Sequence, residues 1–146
     1  MNKDFDNILN ERFSKDSLIS IATVDKTGKP YVRTVDAIYI DGAFYTITNA
    51  ATNKMKHIKE NPVVAICGEW FSGHGKAESL GHIRNEENKD LADKLRTAFA
   101  SWYDNGHTNE DDINTIILKI MVTDGILYKD GKNLLKRAVV KEVRPL

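Results

Sequence analysis

"YVRTVDAIYIDGAFYTIT", residues 31 to 48, decides the fold class. Two runs rich in Val, Ile, Thr, Tyr and Phe flank the pair Asp41-Gly42. Branched and aromatic side chains favour extended backbone, and an Asp-Gly pair between two such runs supplies the positive φ angles of a tight hairpin. The stretch therefore predicts two antiparallel strands. Upstream, "SLISIATV" (17–24) has the same character and is followed by "DKTGKP", where Gly28 and Pro30 mark a turn. The three runs form a meander.

Further along, "PVVAICGEW" (62–70) and "KAESLGHIR" (76–84) read as a second pair, with "FSGHG" as the hairpin between them. Gly81, inside the returning strand, predicts a bulge or a close backbone approach. "TIILKIMV" and "GILYKDG" read as a hairpin about Thr123 and Asp124, and "LLKRAVVKEV" (134–143) as a last strand, for at least seven in all. Helices are expected at "NKDFDNILNERF", after Thr52, and over about 86–103. In the last of these Leu91, Leu95, Ala98, Phe99 and Trp102 make one apolar stripe. Residues 104–112 read as loop. No repeat or linker divides the chain, so a single domain is expected over 1–146. Many short antiparallel strands with peripheral helices give a mainly β fold, a small closed or nearly closed barrel. A five-strand nucleic-acid-binding barrel and a lipocalin-like pocket remain alternatives at this level.

Lys plus Arg equals Asp plus Glu at 21 each, for zero formal charge, which argues against a nucleic-acid or anionic-membrane partner. No long apolar span or signal-peptide pattern occurs, and the expectation is a cytoplasmic protein. The single cysteine, Cys67, lies in "VVAIC" and reads as a small buried hydrophobe. Histidines 57, 74, 82 and 107 show no tight ligand spacing, so no metal site is expected. His74 falls in a presumed hairpin, within reach of a partner's active site. Trp70, Phe71, Trp102 and Tyr103 read as core or interface residues.

The segment "TITNAATNKMKHIKENP" (46–62) contains a strand end, a small polar turn and a short helix, with Thr52 as N-cap and Pro62 after its exit. Its first turn carries Lys54 and Lys56, although the positive pole of a helix favours an acid there by roughly 0.3–1 kcal/mol. The other two helices obey that rule, opening on Asp4 and Asp6 and on Glu86, Glu87 and Asp90. Either a surface irregularity is tolerated or a bound anion reverses the balance, gathering backbone N–H groups, the Thr52 hydroxyl and the Lys54 ammonium. On the 31–40 strand, alternation sets Val32, Thr34, Asp36, Ile38 and Ile40 against Tyr31, Arg33, Val35, Ala37 and Tyr39. Ile38 and Ile40 read as core, so Arg33 is expected to point away from it. A fixed guanidinium suits a phosphate, and an ordinary exposed arginine is the competing reading.

"RTVDAI", then "FYTITNAATNK" entering a helix, then "ENP" and another strand, resembles the FMN-binding split β-barrel of the pyridoxamine 5'-phosphate oxidase-like family. The resemblance runs from about Leu18 to Gly81 and is closest to short single-domain members, the general stress protein 26-like and nitroimidazole-reductase-like proteins. "ITNAATNK" is its most specific part. Thr48 and Asn49 match a family Thr-Asn, while Thr52, Asn53 and Lys54 stand at a Ser-Arg-Lys cluster that binds the FMN phosphate. The resemblance implies a homodimer with FMN at the subunit interface and phosphate on Arg33, Thr52, Asn53 and Lys54. It places the flavin ring along the strand of Thr34 and Val35, with Ile47, Thr48 and Lys76 also at the cofactor. It further implies two-electron transfer from NAD(P)H or another reductant to a small acceptor; no catalytic residue is assigned. Departures are equally specific. A substrate-phosphate lysine of the vitamin-converting oxidase is Ile38 here, its C-terminal Trp and Arg have no clear counterpart, and a flavin-facing glutamine falls near Lys76. These argue against pyridoxamine phosphate as substrate. Alternatives are a flavin-binding stress protein without dedicated turnover, and a binder of haem or a deazaflavin.

Overall fold

The computed structural model describes residues 3–105 and 108–136. Among the described residues there are seven strands: β1 (Ser17–Val24), β2 (Pro30–Ile40), β3 (Ala43–Asn49), β4 (Val63–Gly68), β5 (Phe71–His82), β6 (Thr115–Lys129) and β7 (Lys132–Lys136). Three α-helices accompany them: α1 (Lys3–Phe13), α2 (Asn53–Glu60) and α3 (Lys89–Ala98). The order β3-β2-β1-β4-β5-β6 closes through a β3–β6 pairing into a six-strand antiparallel barrel, and β7 adds to β6 beyond the closure. The expected barrel and the Asp41-Gly42 hairpin are both present, the latter with φ of 46° and 92°.

The barrel core gathers inward residues of every strand around Phe44 and Phe71. α1 stops one end with Phe5, Leu9 and Phe13, the Phe13 ring lying 5.5 Å from that of Phe44, and α2 adds Met55 and Ile58. A second cluster lies outside the barrel wall, where Ala92, Leu95 and Phe99 cover Ile38, Ile83 and Ile117. The apolar stripe expected for the third helix is thus spent on the barrel. The helix itself is shorter than expected: a 3-10 turn occupies Glu86–Asn88, and the chain beyond Ala98 continues as turns. Glu110 fastens the following segment by accepting from Arg96 Nε at 2.8 Å and from the Tyr103 hydroxyl at 2.5 Å.

Several boundaries differ from the sequence expectation, each for a physical reason. The β4–β5 turn falls at Glu69 and Trp70, with Trp70 at φ 53°, and not at "FSGHG". Gly73 and Gly75 lie inside β5 because β6 runs too close for a side chain. A Cβ at Gly73 would press into the Asp124 carbonyl, and one at Gly75 would stand 2.5 Å from Ile120 Cγ2. β6 passes unbroken through Thr123 and Asp124, and the reversal comes at Asp130-Gly131. A register shift at His74/Gly75 absorbs the irregularity instead. The expected bulge at Gly81 is present, with φ 85° and a second shift between Ser79 and His82. Of the last strand, Leu134–Lys136 lie in β7, and residues 137–143 fall outside the described residues. Cys67 is exposed: β4 turns Val64 and Ile66 inward, which leaves Ala65 and Cys67 on the outer face.

Strand β2 also corrects the sequence reading. Its barrel-facing side is that of Val35, Ala37 and Tyr39, whereas Ile38 and Ile40 pack under α3. Arg33 therefore stands on the interior side, at the barrel's open end. Asp36, on the outer side, lies against Asp16, whose Oδ2 accepts from Trp102 Nε1 at 2.8 Å and whose buried Oδ1 has no donor. Burial, then the Asp16 carboxylate, push Asp36 up from 3.8 to about 6. When protonated, Asp36 is a donor for Asp16. The stability it supplies is complete below 3.8 and is lost as pH rises through about 6. Asp36→Asn, which keeps a donor for Asp16, is expected to flatten that slope and to add roughly 1 kcal/mol at neutral pH, discounted for solvent at a half-exposed group. Urea melts at pH 5 and 7 measure it; an unchanged slope refutes that donation.

Candidate functional site

The site begins where α2 meets the open end of the barrel. Thr52 takes the extended N-cap conformation, φ −73° and ψ 158°, but its hydroxyl donates to the Asn49 carbonyl at 2.9 Å. The helix's first-turn amides are left without a side-chain cap, and no acid stands among them. Asn53 and Lys56 point to solvent. Lys54 does not: it is only 9% exposed, and among the described residues no carboxylate lies within ion-pair distance of it. Burial first, and the nearby Arg33 guanidinium second, lower it from 10.5 to about 8.

Arg33 reaches the same place from β2 and is likewise without an acid partner. Its Nη1 donates to Thr23 Oγ1 at 2.7 Å and to the carbonyls of Ile21 and Tyr31, both at 3.3 Å. No described group accepts from Nη2 or Nε. That edge of the guanidinium is the one that pairs with two oxygens of a phosphate. Buried charges in proteins are ordinarily paired, so two adjacent unpaired cations at an uncapped helix start call for an anion. The donors fit a phosphate monoester: a bidentate edge, an ammonium and free backbone N–H groups converge.

The remaining expected residues are dispersed. Thr34 is exposed on the outer face of β2, Val35 packs against the barrel core, and Thr48 is half-buried near the end of β3. Ile47 is committed to the cluster under α3 and pairs with Ile117 in the barrel wall. Lys76 is exposed on β5, opposite Val63. The structure thus joins Arg33 to Lys54 and leaves Lys76 and Ile47 away from them. It also adds residues that the sequence reading missed. Thr23 is buried beneath Arg33, and its hydroxyl meets His57 Nδ1 at 2.8 Å. Tyr31 stacks on the His57 ring, 5.0 Å between centroids. The only sequence signal for His57 is its position three residues after Lys54, on the same helix face.

Outside the barrel, a groove of about 710 Å³ runs across β1, β4, β5 and β6, lined by Ala22, Val32, Ala65, Cys67 and Ile126. His74 stands in it, with Nδ1 held at 2.8 Å by Asp124. Val32, 71% exposed, together with Leu18, Val63 and Met121 makes the surrounding sheet face apolar. Among the described residues no helix is long and apolar enough to cross a membrane, and no group of His, Cys, Asp and Glu could hold a metal ion.

The family model described as pyridoxamine 5'-phosphate oxidase matches residues 5–129, which takes in all six strands of the closed barrel. The chain belongs to that family. Among curated proteins, the pyridoxine/pyridoxamine 5'-phosphate oxidase of Photorhabdus laumondii is 35% identical over 83 residues, 51% of this chain but 37% of that enzyme. This member of the oxidase family thus spans well under half of that relative. Solved structures agree on the fold. General stress protein 26 of Bacillus anthracis superposes with a TM-score of 0.66 at 20% identity, over 89% of this chain and 97% of that one. An FAD-binding protein of Mesorhizobium loti gives 0.65 at 16%, over 86% and 92%. At such identities these likenesses establish the split barrel alone. The cation pair of Arg33 and Lys54 lies within the matched region.

Proposed function

We propose that this family member binds FMN, with the phosphate on Arg33, Lys54 and the first turn of α2, and serves as a flavin-dependent oxidoreductase. The observation that carries the reading is the unpaired, adjacent pair of Arg33 and Lys54, one of them buried. Bound FMN would supply two-electron chemistry that no side chain offers. The protein's part is to hold the phosphate, exclude water from one side of the ring, and place positive charge nearby. A second copy would complete the site: the apolar outer face around Val32, Val63 and Met121 is the surface that a homodimer would cover. We further propose that pyridoxamine phosphate is not the substrate, since the position of the substrate-phosphate lysine is Ile38, an apolar side chain buried under α3.

Titration of FMN into purified protein, followed by absorption, tests the reading, with saturation at one flavin per chain as the expected result. A colourless protein that ignores FMN would end it. Anaerobic NADH and NADPH then separate an enzyme, reduced fast and selectively, from a flavin-binding protein reduced slowly by either. The pH profile is a further test. In the free protein Lys54 loses its proton near pH 8, and a bound anion favours the charged form. Affinity is therefore expected to hold up to about pH 8 and to fall above it, by up to about tenfold per pH unit. A profile flat to pH 10 would remove Lys54 from the phosphate.

A further inference from the structure

We propose that Thr23 and His57 are positioning residues for the anion site, a hydrogen-bond relay that fixes which edge of Arg33 is offered to the ligand. The inference rests on the phosphate reading above and goes beyond it, because neither residue need touch the ligand. A guanidinium only donates, so at 2.7 Å the Thr23 oxygen is an acceptor from Arg33 Nη1. A hydroxyl accepts twice and donates once; Arg33 takes one lone pair, and among the described contacts the other partner is His57 Nδ1, 2.8 Å away, to which we assign the Thr23 proton. In that assignment His57 accepts at Nδ1 and carries its own proton on Nε2.

Three features make the relay rigid. Thr23 is 1% exposed, so its hydroxyl has no water to turn to. The His57 ring lies nearly parallel to Tyr31, at 28°, and the Tyr31 hydroxyl donates to Asp25 Oδ2 at 3.2 Å. Asp25 itself is anchored by the Thr27 and Lys29 amides at 2.8 and 3.0 Å. The turn between β1 and β2 thus holds Tyr31, Tyr31 holds His57, and His57 aims the Thr23 hydroxyl. Nη1 shares its two hydrogens among three protein acceptors, the Thr23 hydroxyl being the shortest contact, which holds that edge of the guanidinium against the protein. The Nε–Nη2 edge stays directed outward, next to Lys54.

The effect is expected in the phosphate grip alone. FMN and riboflavin differ only by the phosphate, so the ratio of their affinities reads it. Thr23→Val removes the hydroxyl at constant shape and is expected to lower the FMN-to-riboflavin ratio about tenfold while riboflavin affinity stays unchanged. Thr23→Ser restores the ratio. His57→Phe keeps the stack on Tyr31 but loses Nδ1; it should lower the ratio about threefold, and adding it to Thr23→Val should cost nothing more. A folded Thr23→Val protein with an unchanged ratio, or with equal losses for both ligands, overturns the relay. If Thr23→Val does not fold, nitrogen NMR of wild-type His57 decides. The Nε2–H tautomer supports the relay, and the Nδ1–H tautomer overturns it. Failure of the wild type to bind either flavin would sink the proposed cofactor, and the relay would still stand or fall on the His57 tautomer.

Discussion

Lys54→Glu is expected to weaken FMN binding about a hundredfold while leaving the barrel folded. A charge-assisted hydrogen bond to phosphate contributes about 1.5–3 kcal/mol, and reversing the sign adds repulsion to its loss. The fold does not depend on Lys54, whose ammonium has no acid partner among the described residues and is held against Arg33 at a cost. Lys54→Met makes the complementary case. With the buried charge gone, the ligand-free protein should gain roughly 1 kcal/mol while FMN affinity drops, a trade of stability against binding common at functional sites. The wild-type penalty has a pH signature. The folded state holds the Lys54 proton less tightly than the unfolded chain, so stability from this group rises as pH goes from about 8 to 10.5. Thermal melts of the two proteins with and without FMN measure all of this. An unchanged FMN affinity in Lys54→Glu would displace the phosphate from α2.

Phe99→Ala should cost about 3–5 kcal/mol, the usual range for emptying a fully buried aromatic site. Phe99 is 0% exposed, caps α3 from its C-terminal turn, and its ring lies 5.0 Å from that of Trp102. Its loss undoes the cluster that joins α3 to Ile38, Ile83 and Ile117. That cluster backs the outer face of the β3–β6 closure, whereas Arg33 stands on the interior side of β2, so FMN affinity measured below the melting transition should change little. Guanidinium unfolding followed by Trp fluorescence gives the stability, and the flavin titration gives the contrast. Equal damage to both would mean that α3 belongs to the site.

What could be read without the structure divides by range. The Asp41-Gly42 hairpin and the misplaced cations of α2 are local, each set by neighbours in the chain, and both are present. The family resemblance then joined Arg33 to Lys54 across twenty residues, a link that period and composition do not make. Where both faces of an element are apolar, alternation fails. The far half of β2 serves the barrel with Ala37 and Tyr39 and α3 with Ile38, so alternation alone puts Arg33 on the wrong face. Glycines misled for a related reason: at Gly73 and Gly75 they serve close strand approach, which looks identical to a turn in one dimension. Thr23 and His57 meet across a sequence separation of 34, and nothing near either residue announces the other.

Those same two glycines bear on how a mutational scan of this chain would look. Gly73 and Gly75 touch no proposed ligand residue, yet the Asp124 carbonyl and Ile120 leave no volume for a methyl group. In a screen scored by flavin colour they would rank beside Lys54 and Arg33, and sit in the same sheet as His74. Soluble yield tells the two kinds of intolerance apart. Bleached but abundant protein marks the anion site, whereas scarce protein marks the seam where β5 and β6 touch backbone to backbone.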